Sequence, residues 1–173
     1  MNSIWALRVR ADRAHGTILG IGERRERLLD QILVNLKLLD VAGDRHPRRP
    51  AALCQKVSEA TQFPIPINYP VFGEDAFRTG TGVHAAAIIK AMEKGDAALA
   101  DCVYSGVPAG EFGREQEICI GPMSGISNVR FWCRKRDIEP TDELAKAILA
   151  KAKQSKRLMT DDEVMEVVRG QAS

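Results

Sequence analysis

No stretch of this sequence approaches the run of about 20 apolar residues that spans a bilayer, so no membrane helix is expected. Met1 to Arg10 lacks an apolar core followed by a small-residue cleavage site, so no signal peptide is expected either. Cysteine is sparse. Cys54, Cys102, Cys119 and Cys133 stand far apart, with no C-x-x-C pair. That excludes the paired ligands of a structural zinc site and the density of a disulfide scaffold. Four reduced, mostly buried thiols in a cytoplasmic protein are expected instead. His15, His46 and His84 are too scattered to form a local metal motif. Net charge is also small: 25 basic against 23 acidic side chains leaves +2. A dedicated nucleic-acid binder carries a strong basic excess, and this chain has none. There is neither an internal repeat nor a low-complexity tract.

What is there is an ordinary globular composition, 45% hydrophobic and 28% charged over 173 residues. At about 100–200 residues per domain that is one domain, two at most. The charge is uneven, +4 over residues 1–50 and −2 over 51–173. Met1 to Val9 reads as the end of a helix, and Asp12 to Ile21 as a short strand ending in glycines. Arg27 to Leu39 reads as a helix, with Leu29, Ile32, Leu33 and Leu36 at helical spacing on one face. Strand, Gly-rich turn and helix make one βα unit, the building block of parallel α/β folds. Asp44 to Pro50 holds two prolines and three arginines, which stops a helix and reads as an exposed linker.

Beyond the linker the chain reads as helix and loop. Ala51 to Thr61 is expected to be helical with Leu53, Val57 and Ala60 inward, and the three prolines of Phe63 to Pro70 impose an extended path. Phe72 to Gly82 is a loop. The Ala-rich Val83 to Glu93 is a strong helix former, and Asp96 to Cys102 reads as another helix. Glu117 to Ile120 is a short extended piece. Ser124 is placed to cap a helix through Arg136, in which Phe131 and Trp132 read as core. Thr141-Asp142-Glu143 opens a helix to about Gln154, with acidic residues where the helix dipole favours them. Thr160 and Glu163 have the spacing of a capping box for a last helix to Arg169.

Two stretches carry a resemblance. Ala11 to Leu39 holds Gly16-Thr17 and then Gly20-Ile21-Gly22-Glu23-Arg24 before an apolar helix. Phe72 to Lys90 holds Ala76-Phe77, Gly82-Val83-His84 and Lys90. Tyr104 to Arg114 and Ile120 to Gly125 follow in the same order, with Tyr-x-x-x-Pro, Phe-Gly-Arg and Gly-x-x-Ser-Gly steps. Together these resemble the 2-isopropylmalate synthase and homocitrate synthase family, from the eighth strand and helix of its catalytic barrel into its post-barrel region. The resemblance covers about residues 2 to 169. It implies a (β/α)8 barrel followed by helical subdomains, and a condensation of acetyl-CoA with a 2-oxo acid. It also implies, in intact members, a divalent metal that polarises the oxo acid. By motif position, His84 and Tyr104 correspond to a His and a Tyr that reach the active site of a partner subunit. A histidine titrates near neutrality and can pass a proton, and a phenol can donate to or accept from a developing alkoxide.

The departures weigh as much as the matches. A full barrel takes about 250 residues, rarely under 200, so this chain holds one βα unit of eight. The family's Asp-Arg-Glu segment and its metal-binding His-x-His pair have no counterpart. Where the family has Gly-Asn after Gly-Glu-Arg, this chain has Arg25-Glu26-Arg27, and Thr79 stands where a second post-barrel His is usual. Without the barrel, the Leu29, Ile32, Leu33, Leu36 face needs another partner. Burying each such side chain stabilises by about 1.5–3 kcal/mol.

Each singled-out residue also has a plainer reading. On its own His84 is a capping or packing histidine, Tyr104 a core or interface aromatic, and Glu23-Arg24 a solvated turn pair. Arg45 to Arg49 is most simply a solvated basic loop. With the resemblance, the expected fold class is mainly α: helical post-barrel subdomains preceded by a single βα remnant of a (β/α)8 barrel. Residues 1–43 are the remnant, 44–50 the linker and 51–173 the helical region. The implied function is that of the C-terminal portion of a 2-isopropylmalate synthase-like acyltransferase in leucine biosynthesis, inactive as an isolated chain. The implied site residues are His84 and Tyr104, with Glu23 at the former barrel mouth. No metal ligand and no cofactor of this chain's own is expected. Expected partners are acetyl-CoA and a 2-oxo acid at family level, and a second copy or a full-length synthase subunit. Neither nucleic acid nor membrane is expected. Two alternatives stand beside this: a non-catalytic module that docks on an intact synthase, and the product of a truncated gene.

Overall fold

A computed structural model describes residues 2–23, 26–41 and 50–171. The expected linker therefore lies outside the described residues except for Pro50, as do Arg24, Arg25 and the Arg45–Arg49 loop. The chain divides into two compact units, Met1–Ala76 with Val107–Arg114, and Phe77–Gly106 with Glu115–Ser173. The class is mainly α with a small parallel β element, as the sequence implied.

The first unit begins with α1 (Asn2–Val9) and a 3-10 turn at Ile18–Gly20, followed by α2 (Leu29–Leu38) and α3 (Pro50–Thr61). The expected strand at 12–21 does not form. A strand needs neighbours for its N–H and C=O groups. Here only Thr17 finds one, in a single parallel bridge to Leu28. Gly20 has φ +63°, and a Cβ there would lie 2.6 Å from Leu28 Cδ2, so this turn requires glycine. The Ile18–Gly20 turn packs on both α2 and α3, which gives the α2 face a partner within the unit. Ile32 is buried while Leu29, Leu33 and Leu36 are half-buried. The inward face of α3 is only partly the expected one, with Val57 half-buried. Cys54 is fully buried, Leu53 is 45% exposed and Ala60 is exposed. Cys54 lies close enough to the buried Asp30 to feel its charge.

The second unit holds β1 (Arg78–Thr79), α4 (Gly82–Glu93), α5 (Ala97–Cys102), β2 (Glu117–Ile118), α6 (Ile126–Arg134), α7 (Asp142–Gln154) and α8 (Asp161–Gln171). β1 and β2 pair in parallel, Arg78 with Glu117 and Thr79 with Ile118. One apolar cluster gathers Ala85, Ile88, Ile89, Ala91 and Ala100 of α4 and α5 with Ile118. A second joins α6, α7 and α8 through Val129, Trp132, Ile148, Ala152 and Val164. Trp132 is core, as the sequence suggested.

Local side-chain signals place the starts of α5, α7 and α8. Asp96 accepts a hydrogen bond from the Leu99 N–H at 2.9 Å, and Thr141 accepts from Leu144 N–H at 3.3 Å. The box before α8 is reciprocal. Glu163 accepts from the Thr160 N–H at 2.8 Å and Thr160 Oγ1 from the Glu163 N–H at 3.3 Å. Arg157 adds a two-pronged ion pair to the same carboxylate, at 2.8 and 2.9 Å. The Arg157 bonds, then the Thr160 N–H, hold Glu163 down at about 2 against an ordinary 4.5. The stabilisation from a depressed carboxylate is present above its unfolded value and lost on protonation. The α8 cap is therefore expected to weaken as pH falls from about 4.5 through 2. A Glu163→Gln variant should lose that acid dependence in a urea-midpoint titration between pH 2 and 6.

Ser124 does not cap α6. The cap position is Gly125, whose N–H donates to Asn128 Oδ1 at 3.2 Å. All four thiols are free, but only Cys54 and Cys133 are buried, and Cys102 is exposed. Burial pushes the Cys54 thiol up to about 12, with the Asp30 charge adding to it. Burial raises Cys133 as well. Both are packing thiols rather than nucleophiles.

Candidate functional site

Two residues 20 positions apart meet on the second unit. His84 sits in the first turn of α4 and Tyr104 just beyond α5. Their rings stack, with centroids 4.0 Å apart and planes inclined by 26°. Packing of α4 on α5 through Ala85, Ile88 and Ala100 puts the two there. Both are exposed, Tyr104 by 51%, so neither fills the core. Tyr104 is therefore not a core residue, and exposure leaves the capping reading of His84 and the interface reading of Tyr104 as they were. Beside the pair, Val83 and Met123 are also strongly exposed. Met123 lies next to the start of α4, because its carbonyl accepts the Gly82 N–H at 2.9 Å.

Chemically, the pair offers an imidazole, which can take or give a proton, and a phenol that can hydrogen-bond in either direction. Lys90, from the same motif, is exposed one turn and a half further along α4. Thr79, in the usual place of a histidine, lies in β1. Among the described residues no three His, Cys, Asp or Glu side chains converge as a metal site would require. These residues do not fit the divalent ion that the resemblance implies for intact members. Among them, too, no helix is long and apolar enough to cross a membrane.

Glu23 belongs to the first unit and is exposed in the turn after Gly22. That unit holds a buried network which the sequence reading did not single out. Asp30 has no exposed surface. Its Oδ1 accepts the Leu19 N–H at 2.8 Å, and its Oδ2 accepts the Tyr69 hydroxyl at 2.7 Å and Gln31 Nε2 at 3.0 Å. Leu19 has φ +59°, a conformation that leucine rarely adopts. The carboxylate thus fastens the Gly16–Gly22 turn onto α2. Burial and the bond to Asp30 drive the Tyr69 phenol well above its ordinary value, so it stays a donor. Gln31 also donates to the Pro70 carbonyl at 2.9 Å.

Next along the chain, Val71 is buried at φ +67°, a strained geometry for a β-branched residue. The Arg114 guanidinium reaches the carbonyls of Phe72 and Gly73 at 3.1 and 3.2 Å and that of Val71 at 3.5 Å. The arginine of the Phe-Gly-Arg step is therefore a clamp on this loop. A signal for Asp30 was present: it is a lone carboxylate inside the apolar run Leu28 to Leu33.

No family model matches this chain. Curated relatives do. A homocitrate synthase of Methanopyrus kandleri is 29% identical over 97% of this chain and 41% of its own length. An (R)-citramalate synthase of Aquifex aeolicus is 31% identical over 88% of this chain and 28% of its own. A probable 2-isopropylmalate synthase of Methanopyrus kandleri is 29% identical over 88% and 29%. The chain thus spans less than half the length of these relatives. Its relatives are the homocitrate, 2-isopropylmalate and citramalate synthases, the family that its motifs from Gly16 to Gly125 resemble.

Proposed function

We propose that this chain serves the condensation of acetyl-CoA with a 2-oxo acid as one portion of the synthase machinery, and does not complete the reaction alone. The observation that carries this reading is the exposed His84–Tyr104 stack, which brings together the two residues that the family resemblance singles out. In this role His84 holds or passes a proton, and Tyr104 hydrogen-bonds the oxygen where charge develops. With 2-oxoisovalerate as acceptor the reaction belongs to leucine biosynthesis, and the setting is cytoplasmic. The chain works as a pair with a second copy or with a full-length synthase subunit. Glu23 is assigned a lesser part, as a carboxylate of the former barrel mouth.

A second reading, a non-catalytic module that docks on an intact synthase, is favoured by the exposure of Val83 and Met123 beside the pair. Two exposed apolar side chains next to a functional pair are what a covering partner would bury.

The test is a thiol-release assay with acetyl-CoA, a divalent metal and 2-oxoisovalerate, run with and without a full-length homologue. The expected result is no release by the chain alone and a changed rate on mixing, abolished by His84→Ala. Release by the chain alone would overturn the proposal that it is incomplete. An unchanged rate on mixing would remove the trans role and leave the truncated-gene reading.

A further inference from the structure

The start of α4, and with it His84, is held by a buried polar lock centred on a serine. Ser124 immediately precedes the cap position of α6, yet its hydroxyl takes no part in that cap. It donates instead to the Gly80 carbonyl at 2.7 Å, 44 residues away, and accepts the Gly121 N–H at 2.9 Å. Asn128, which shares the Cys119 carbonyl with Ser124, has no exposed surface. Its Nδ2 donates to the Cys119 carbonyl at 2.9 Å. The Gly82 N–H donates to the Met123 carbonyl, so the 119–125 loop grips the 80–82 step on both sides. The approach is close enough to exclude side chains: a Cβ on Gly82 would lie 2.7 Å from the Gly125 nitrogen. His84 follows two residues later.

We infer that Ser124 is a positioning residue for His84, acting through Gly80 and Gly82 to set the direction of the first turn of α4. The angle of that turn decides how the imidazole meets the Tyr104 ring. A helix start that depended only on its own cap would not need this lock. The Thr81 cap position of α4 makes no side-chain hydrogen bond, so no local side-chain cap holds its first turn. A hydroxyl is suited to the task because one O–H both donates and accepts, and so ties two chain segments at one point. The functional weight of this inference rests on the proposed role of His84, while its geometric content does not.

The experiment compares Ser124→Ala with Thr141→Ala, which removes the α7 cap instead and is expected to lower the urea midpoint by a similar amount. The probe is the NMR spectrum of the His84 ring, whose protons are displaced upfield by the stacked Tyr104. Ser124→Ala is expected to lose that displacement, and Thr141→Ala to keep it at an equal fall in urea midpoint. Unchanged His84 shifts in Ser124→Ala, or equal changes in both variants, would overturn the inference. Should Ser124→Ala fail to fold, Ser124→Cys, which keeps the volume and a weak donor, is read in the same way. In the mixed assay Ser124→Ala is expected to lower the rate change about tenfold, since misplacing a reacting group is costly. If His84→Ala leaves the mixed rate untouched, the functional reading fails, and the NMR comparison still decides the positioning role.

Discussion

Asp30→Ala is expected to destabilise the chain by about 2–5 kcal/mol, measured as a fall in the urea midpoint. The substitution leaves the buried Leu19 N–H and the Tyr69 hydroxyl without their acceptor. Each buried polar group left unpaired costs about 1–3 kcal/mol. A further loss follows from Leu19. Its left-handed backbone is disfavoured by about 1–2 kcal/mol, and Asp30 supplies the acceptor for its N–H. Removing a buried charge offsets part of this, because no cation pairs with Asp30 among the described residues. Asp30→Asn separates the two effects. One side-chain oxygen still serves Leu19, but the amide now faces the donors Tyr69 and Gln31. Its cost should therefore fall between parent and alanine. A midpoint for Asp30→Ala within error of the parent would mean that this network is not a fastening of the turn.

Trp132→Ala is expected to cost about 3–5 kcal/mol, the usual range for removing a large buried aromatic. Trp132 is almost wholly buried among Val129, Ile148 and Val164, so the cavity left behind has no easy way to collapse. It is also a junction of polar bonds. Its Nε1–H donates to Asp161 at 2.9 Å, and the Arg136 guanidinium lies 4.0 Å over its ring while bonding the same carboxylate. Trp132→Phe keeps part of the apolar area, but it deletes the Nε1 donor and leaves a smaller cavity, so about 1–3 kcal/mol is expected.

That milder variant carries a pH signature. Burial opposes the Asp161 charge, but the bonds from Trp132 and Arg136 outweigh it and hold the group below its ordinary value. Its stabilisation is therefore present above the unfolded carboxylate range and lost as pH falls through the folded value. Deleting one donor raises that folded value towards the unfolded one, so the acid fall in stability due to Asp161 should be smaller and end at a higher pH in Trp132→Phe. Acid unfolding followed at two or three urea concentrations reads this directly.

How much of the molecule was legible beforehand depended on the reach of the interactions involved. The helices α5, α7 and α8 were readable because a helix bonds within four residues and its caps lie within three, as Asp96, Thr141 and the Thr160–Glu163 box demonstrate, and α4 was readable from its alanine-rich composition. The residues implied for the site were readable too, as motif positions. Their meeting was not, since His84 and Tyr104 are joined only by the packing of α4 on α5.

Elements that depend on distant partners read poorly. The stretch 12–21 has the composition of a strand, yet strand bonds are made to other strands, and Thr17 finds only Leu28. The inward face of α3 was assigned to Leu53 by its apolarity, whereas the place was taken by Cys54, beside the buried Asp30. Ser124 has the sequence position of a cap, but its hydroxyl is used 44 residues away. Sequence alone therefore established the family resemblance, the mainly helical class and the local helix signals of this chain. Folding in three dimensions decided which polar groups, Asp30 and Ser124 above all, are withdrawn from water. A buried donor or acceptor must find its partner wherever the chain brings one, and that partner is set by geometry across the whole unit rather than by neighbours in sequence.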